Sequence, residues 1–375
     1  MTVRPFEVAV PQARLDAIRA RVEHGWIGYA PDDDADWKYG TDAAYLEEFR
    51  RYWLDSHDWR QAEAELNRFP QFLARVDDCD VHFYHVKGSG TNPFPVILTH
   101  GWPGSVVEFL DVIDRLANPG NHGGEPEQGL TVVVPSLPGY GFSSRPARPI
   151  GPMRTAALWR KLMTEVLGYS RFGAQGGDWG AGVSLALGRD HADVVAAIHL
   201  NLIIGLPLPG GDAETQAWQA ERAQFRSRES AYADIHATRP QTIALALADS
   251  PLGFAGWVLE KCRAWSDCHG DLDRRFGKDR LLTNIMTYLV NDAVGSAIWM
   301  YHGSRAETPP QRRVEVPTGF AAFPAEPFTP PPRRAVQAAL NIVRWNELPA
   351  GGHFAAWEEP ELFAGEVRSF FAEWR

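Results

Sequence analysis

The sequence predicts an α/β protein: a mainly parallel sheet flanked by helices, interrupted by a helical insertion and preceded by an N-terminal extension. Three observations predict it. Short β-rich runs alternate with helical patterns from about Val81, the signature of a parallel sheet covered by helices. The rhythm stops between about residues 212 and 302, where only helical stretches with proline and glycine breaks are readable, and it then resumes. Several strand candidates end in glycine-rich turns that run into helices. The length of 375 residues suits two or three folding units of ~150 residues or one large unit.

The expected elements follow in order. Helical spacing is plausible over Pro11–His24 and Asp42–Leu54, within some 80 residues rich in Trp, Asp and Arg that carry no expected strand. The acid run Asp32, Asp33, Asp34 and Asp36 lacks the glycine and terminal glutamate of a calcium loop, so a solvated turn is expected there. Strands are expected at Val81–Val86, Val96–Thr99, Thr131–Val134, Arg171–Gln175 and Val194–Leu200. AETQAWQAERAQFRSRESAYADIHA is the clearest helical stretch of the insertion. Strands return at Arg313–Val316 and Leu340–Trp345, and a helix over Glu361–Trp374 closes the chain. The proline run Pro330–Pro332 reads as a stiff connector. This divides the chain into an extension (1–90), a first core part (91–205), a helical cap (206–305) and a second core part (306–375).

Composition narrows the partners. Hydrophobic residues make up 45% and charged residues 22%, which excludes wholesale disorder. A net charge of −10 argues against nucleic acid and anionic lipid. Cys79, Cys262 and Cys268 contain no CxxC, so a reduced, cytoplasmic protein without structural zinc is expected. The N-terminal MTVRPFEVAV has no signal-peptide pattern, and the most apolar run, Ala196–Leu208, is broken by His199, Asn201, Gly205 and Pro207, far short of a membrane span.

The motifs carry the chemistry. Gly176-Gly177-Asp178-Trp179-Gly180 lies between an expected strand and a helix. It has the G-x-nucleophile-x-G pattern, with aspartate where serine is common, on a turn so tight that small residues must flank the nucleophile. The turn presents Asp178 at a helix N-terminus, whose partial positive charge suits an anion. A glycine-rich loop with an N-capping aspartate is the plain alternative reading of the motif alone. Upstream, strand Val96–Thr99 runs into His100-Gly101-Trp102-Pro103-Gly104, placed where an α/β-hydrolase aims a backbone N–H at a developing oxyanion. The two donors would be the N–H groups of Trp102 and Trp179. A base belongs last in chain order, and Gly351-Gly352-His353-Phe354 follows the last strand. Among Glu315, Glu326 and Glu347 as orienting acids, Glu315 falls inside a strand and Glu347 lies too near the histidine, which leaves Glu326 in AAFPAEPF. Trp102 and Trp179, with Tyr140 and Phe142 of the PGYGFS turn, are candidate substrate contacts.

With HGWPGS, PGYGFS, GAQGGDWG, VPTGFAAFPAE and GGHFAAWEEPEL in the core, and RPFEVAVP and DWRQAEAELNRFPQF in the extension, the chain resembles an epoxide hydrolase of the microsomal type over nearly all its length. The resemblance implies an α/β-hydrolase with a helical cap and an extension that wraps core and cap. It implies Asp178 as nucleophile, Glu326 as acid, His353 as base, and two cap tyrosines that protonate the epoxide oxygen. SRESAY places one at Tyr232 and IMTYLVNDAVGSAIWMYHGS the other at Tyr301, with Tyr288 as rival. It implies an epoxide and water as reactants, a diol as product, and neither metal nor organic cofactor. The membrane-bound relatives start with a hydrophobic anchor, and this chain starts directly at the extension, so a soluble enzyme is expected. Some relatives form dimers, which makes a homodimer compatible with the resemblance. Hydrolytic dehalogenation, which uses the same fold and an Asp-Trp-Gly elbow, is the nearest rival activity; a low-turnover ligand-binding protein is a more distant one.

Overall fold

A computed structural model describes residues 3–206 and 211–374; the last residues of the apolar run and the start of the expected cap, at 207–210, lie outside them. The nine strands among the described residues are β1 (Val3–Phe6), β2 (Gln71–Val76), β3 (Cys79–Val86), β4 (Phe94–Thr99), β5 (Leu130–Pro135), β6 (Phe172–Gly176), β7 (Val195–Leu200), β8 (Val314–Ala322) and β9 (Leu340–Glu347). They form one sheet in the order β1-β2-β3-β5-β4-β6-β7-β8-β9. The pairs from β5 through β9 are parallel, and the pairs on the β1 side are antiparallel. Every residue of β5, β6 and β7 is buried, as expected of central strands covered on both faces.

Two strands precede the first one expected from sequence. β2 and β3 form a hairpin with Gln71 opposite Tyr84 and Val76 opposite Cys79, turning at Asp77, whose φ is 50°. α3 (Trp59–Leu66) precedes the hairpin, and β2 is held on one edge by its hairpin partner β3 and on the other by the distant β1. β8 is also longer than expected, because a register shift between Val314 and Pro317 carries the strand past the proline.

The extension supplies α1 (Gln12–Glu23), α2 (Ala43–Asp55) and α3, with Asp42 and Asp58 capping the last two through bonds to the N–H groups of Tyr45 and Arg60. The core adds α4 (Leu110–Ala117), α5 (Pro152–Lys161) and α6 (Asp178–Asp190). Between β7 and β8 run α7 (Ala213–Glu229), α8 (Ala231–Thr238), α9 (Pro240–Asp249), α10 (Pro251–Trp265), α11 (Leu272–Arg275), α12 (Lys278–Leu289) and α13 (Ala293–Ala306). The long helical pattern expected there breaks at Ser230, and the break turns the chain so that Tyr232 lies in the first turn of α8. After β8 come α14 (Arg333–Ala339), α15 (Ala355–Glu358) and α16 (Pro360–Phe371).

The extension fastens these inserted helices to the rest. Tyr45 Oη donates to Asp273 at 2.8 Å, Tyr52 Oη to Asp279 at 2.7 Å, and Lys278 pairs with Glu48 at 2.8 Å. Arg14 pairs with Asp292 and donates to the Leu289 carbonyl. Glu63 anchors the extension itself, accepting from the Val10 N–H at 2.6 Å and from Trp59 Nε1 at 2.8 Å. No single helix among the described residues is long and apolar enough to cross a membrane. Cys79, Cys262 and Cys268 are free and buried.

Candidate active site

The elbow forms where β6 meets α6. Asp178 has φ 45°, a left-handed conformation that costs an L-residue energy and persists only where its surroundings enforce it. Space enforces it here. A Cβ on Gly176 would lie 2.1 Å from the Gly180 backbone, and one on Gly180 would lie 1.9 Å from the Thr99 carbonyl oxygen. The chain therefore bends through glycine on both sides of Asp178. A Cβ on Gly101 would strike Asp178 Oδ1 at 2.2 Å, so this glycine of the β4 turn is what lets the carboxylate lie against the backbone.

The carboxylate is gripped unequally. The Trp102 N–H donates to Oδ1 at 2.9 Å, while Oδ2 lies 3.4 Å from His353 Nε2. Trp179 follows Asp178 in the first turn of α6, where a helix has no acceptor for its own N–H groups. The Trp102–Pro103 peptide is cis.

His353 comes from the loop after β9, and the inserted helices hold that loop in place. Its N–H donates to the Trp265 carbonyl at the end of α10 at 2.9 Å, and the Gly351 N–H donates to Asp267 at 3.0 Å. Glu326, in the loop after β8, accepts from His353 Nδ1 through Oε2 at 2.9 Å and Oε1 at 3.1 Å, and from the Phe328 N–H at 3.1 Å. With Nδ1 bound to Glu326, Nε2 is the nitrogen facing Asp178, and it is buried without a hydrogen-bond partner. Burial alone lowers the imidazole pKa, but the Glu326 and Asp178 carboxylates outweigh it and hold the group well above the ordinary histidine value. A small cavity of about 20 Å³ adjoins these groups, lined by residues that include Gly101, Glu108, Asp178, Asn201 and His353; that is room for one water.

Aromatic side chains roof the site. Tyr232 stacks on Trp102 with ring centroids 5.2 Å apart, and Tyr301 meets Trp179 edge to face at 4.7 Å. The two tyrosine rings are 5.8 Å apart, and each hydroxyl affects the other's ionisation. Burial raises both phenol pKa values, with the Asp178 charge adding to it, so both stay protonated near neutral pH. Trp265 stands beside His353 at 4.9 Å, and the indole nitrogens of Trp102, Trp179 and Trp265 are buried without partners.

The sequence-predicted residues divide accordingly. Asp178, Glu326, His353, Trp102, Trp179, Tyr232 and Tyr301 come together. Tyr140 is buried beside His100, with centroids 5.3 Å apart, close enough for the Asp178 charge to act on it. Phe142 is a correction. Its ring packs on Phe6 of β1 and His82 of β3, because the PGYGFS turn points its last aromatic at the antiparallel end of the sheet, away from the nucleophile. The rival Tyr288 is engaged elsewhere, donating to the Gly104 carbonyl.

Two carboxyls went unread in the sequence. Burial pushes Glu108 up to about 8 against the opposing effect of His353, and Glu358 up to about 7. Glu358 accepts from the N–H groups of Phe354 and Asp267, fixing the histidine loop to the inserted helices. The only sequence signal for Glu108 is its place four residues after the HGWPG turn.

Comparisons with known proteins agree with this geometry. Residues 3–109 match the family model described as epoxide hydrolase N terminus, and residues 95–236 match that of the alpha/beta hydrolase fold. A protein of Stigmatella aurantiaca, provisionally named an epoxide hydrolase, is 41% identical over 379 residues, covering 100% of this chain and 86% of that one. Epoxide hydrolase 1 of Oryctolagus cuniculus is 34% identical over 98% of this chain and 88% of its own length. The structure of Aspergillus niger epoxide hydrolase superposes with a TM-score of 0.88 at 31% identity, covering 100% of this chain and 97% of that one. With full-length identity at this level, and with the elbow, the histidine and the paired tyrosines in one α/β-hydrolase frame, the chain belongs to the epoxide hydrolase family.

Proposed function

We propose that this chain converts an epoxide and water to a vicinal diol through a covalent ester on Asp178. The observation that carries the reading is the pair of buried tyrosines roofing a carboxylate that accepts a backbone N–H and lies 3.4 Å from a histidine nitrogen. Asp178 Oδ2, the oxygen not bound to Trp102, attacks an oxirane carbon. The C–O bond breaks, and its electron pair goes to the oxirane oxygen, which takes a proton from the tyrosine pair. An alkoxide is a poor leaving group unless protonated as it forms, and phenols donate without tuning at neutral pH.

The ester is then hydrolysed. His353 takes a proton from water, and the hydroxide adds to the Asp178 carboxyl carbon. The oxyanion develops on Oδ1, where the Trp102 N–H already points and the Trp179 N–H is free; such a donor typically contributes ~3–4 kcal/mol. The ester bond to Oδ2 breaks, the departing oxygen takes the proton held by His353, the diol leaves, and the proton of the regenerated Asp178 carboxyl returns to the tyrosine pair. Esterification supports this second step electrostatically. It removes the Asp178 charge that helps raise the imidazole pKa, so the base becomes easier to deprotonate when it is needed. Free buried thiols suit a reducing compartment such as the cytoplasm.

A second reading, hydrolytic dehalogenation, draws on the unpartnered indole N–H groups of Trp102 and Trp179, which suit a departing halide. A halide needs no proton, and the buried tyrosine pair therefore favours the epoxide. Incubation with styrene oxide and with a chloroalkane, assayed for diol and for chloride, separates the two. Diol without chloride is expected, and chloride without diol would overturn the choice. Tyr232→Phe and Tyr301→Phe are each expected to slow ester formation by roughly 10- to 100-fold, and the double variant by more than about 10³-fold. Single-turnover tryptophan fluorescence checks this; an unimpaired double variant would remove the tyrosines from the chemistry.

A further inference from the structure

Behind Tyr232, on α10, sits a charge that the reaction as described does not use. Lys261 is only 7% exposed. Its Nζ lies 4.8 Å from the centroid of the Tyr232 ring and 5.7 Å from that of Trp265, and it pairs with Glu260 Oε2 at 2.6 Å. Lysine is rarely buried, because its ammonium loses hydration that a single ion pair only partly replaces. A methionine of similar length would fill the same space without that cost. Among the described residues, no lysine or arginine lies over the ring of Tyr301, whose neighbours are the rings of Trp102, Trp179, Tyr232 and His236. His236 brings no positive charge. Burial and the Lys261 ammonium push its pKa down to about 3, and its Nε2 accepts from Trp257 Nε1 at 3.2 Å.

We propose that Lys261 acts through Tyr232, selecting it over Tyr301 as the tyrosine that surrenders its proton to the opening epoxide. This rests on the proton-donor reading of the tyrosine pair. When Asp178 is esterified, its negative charge moves through the oxirane oxygen onto whichever tyrosine loses its proton. A cation over an aromatic face is attracted by the ring's quadrupole, and more strongly once the ring carries a full negative charge. Asp178, Glu260 and Glu326 all disfavour a phenolate at Tyr232, so a cation over its ring is what can offset them. Burial and the Asp178 charge disfavour ionisation of Tyr301 as well, and no cation lies over that ring among the described residues. Glu260 offsets the Lys261 charge at a distance, but the ammonium is the half of the ion pair that lies over the ring. Lys261 is thus a positioning residue for charge: it fixes where the negative charge rests during ester formation.

The test measures single-turnover ester formation with methyloxirane and with trifluoromethyloxirane, whose alkoxide leaves more readily. Lys261→Met is expected to slow methyloxirane about tenfold and trifluoromethyloxirane markedly less. Lys261→Arg should stay within about threefold of the wild type. Lys261→Gln, a polar replacement for use if methionine disturbs folding, should behave as methionine does. In a Tyr232→Phe background, Lys261→Met should have no further effect. Equal losses on both epoxides, a full additional loss in the Tyr232→Phe background, or a wild-type rate for Lys261→Met and Lys261→Gln would each overturn the proposal. An unimpaired Tyr232→Phe variant would instead overturn the proton-donor reading beneath it.

Discussion

Asp178→Ala is expected to lower turnover by about 10⁴-fold or more while epoxide or diol affinity stays within a few-fold of the wild type. In the proposed reaction the carboxylate contributes little to binding an uncharged oxirane, which would rest on the aromatic roof formed by Trp102, Tyr232, Tyr301 and Trp179. In that reaction it supplies the nucleophile of the first chemical step. Because residue 178 has φ 45°, alanine also adds backbone strain, and Asp178→Asn is the better-tolerated companion at that φ. The two variants separate lost chemistry from lost folding. Initial rates with an epoxide panel, together with ligand binding by fluorescence, read out both quantities. Wild-type turnover in either variant would mean that some other group attacks, and loss of affinity in step with turnover would favour a structural role.

His353→Gln is expected to stop the cycle halfway. Ester formation needs Asp178 and the tyrosines, so it should proceed. Hydrolysis needs a base on the water and should slow by roughly 10³-fold or more. The enzyme would then carry an added mass equal to one substrate, visible by intact-protein mass spectrometry and assignable to Asp178 by peptide mapping. In the wild type, hydrolysis of the adduct should speed up with rising pH until the imidazole is fully neutral. The sign follows from the resting state, where Glu326 and Asp178 hold His353 well above its ordinary pKa: a raised pKa favours the protonated form, which cannot accept a proton from water. Esterification removes one of those two anions, so the pKa governing adduct hydrolysis must be lower than that of the free enzyme. An adduct-free His353→Gln enzyme, or hydrolysis that slows with rising pH, would contradict this assignment.

How much of this was legible in the sequence depends on the range of the physics. The elbow, the HGWPG turn and the GGHF loop are local: the elbow glycines sit where backbone atoms come within about two ångströms of an absent Cβ, and the glycines of the other two motifs also lack room for one, so such positions announce themselves in a short window. Chain order then supplied Glu326. β2 was not legible, because QFLARV is fixed in part by pairing with β1, far away in the sequence, and the helix α3 stands just before it. Phe142 was misplaced for a similar reason: the turn that bears it is local, but the direction of its ring depends on packing against Phe6, more than a hundred residues away. Lys261 and Glu108 were invisible in principle. In sequence, LEKCRAW and SVVEF look like segments with ordinary surface charges, and only the packing of α10 against α8, and of the segment after β4 against the histidine loop, reveals that these charges are buried.

The central claim is the transient ester, and the oxygen it transfers tests it most directly. One turnover with enzyme in excess over epoxide in ¹⁸O-labelled water should leave the heavy isotope in the carboxylate of residue 178, because water attacks the acyl carbon and the released diol carries off the original Oδ2. A diol that acquires the label in that first turnover, with an unlabelled protein, would mean that water opens the epoxide directly and that no ester forms.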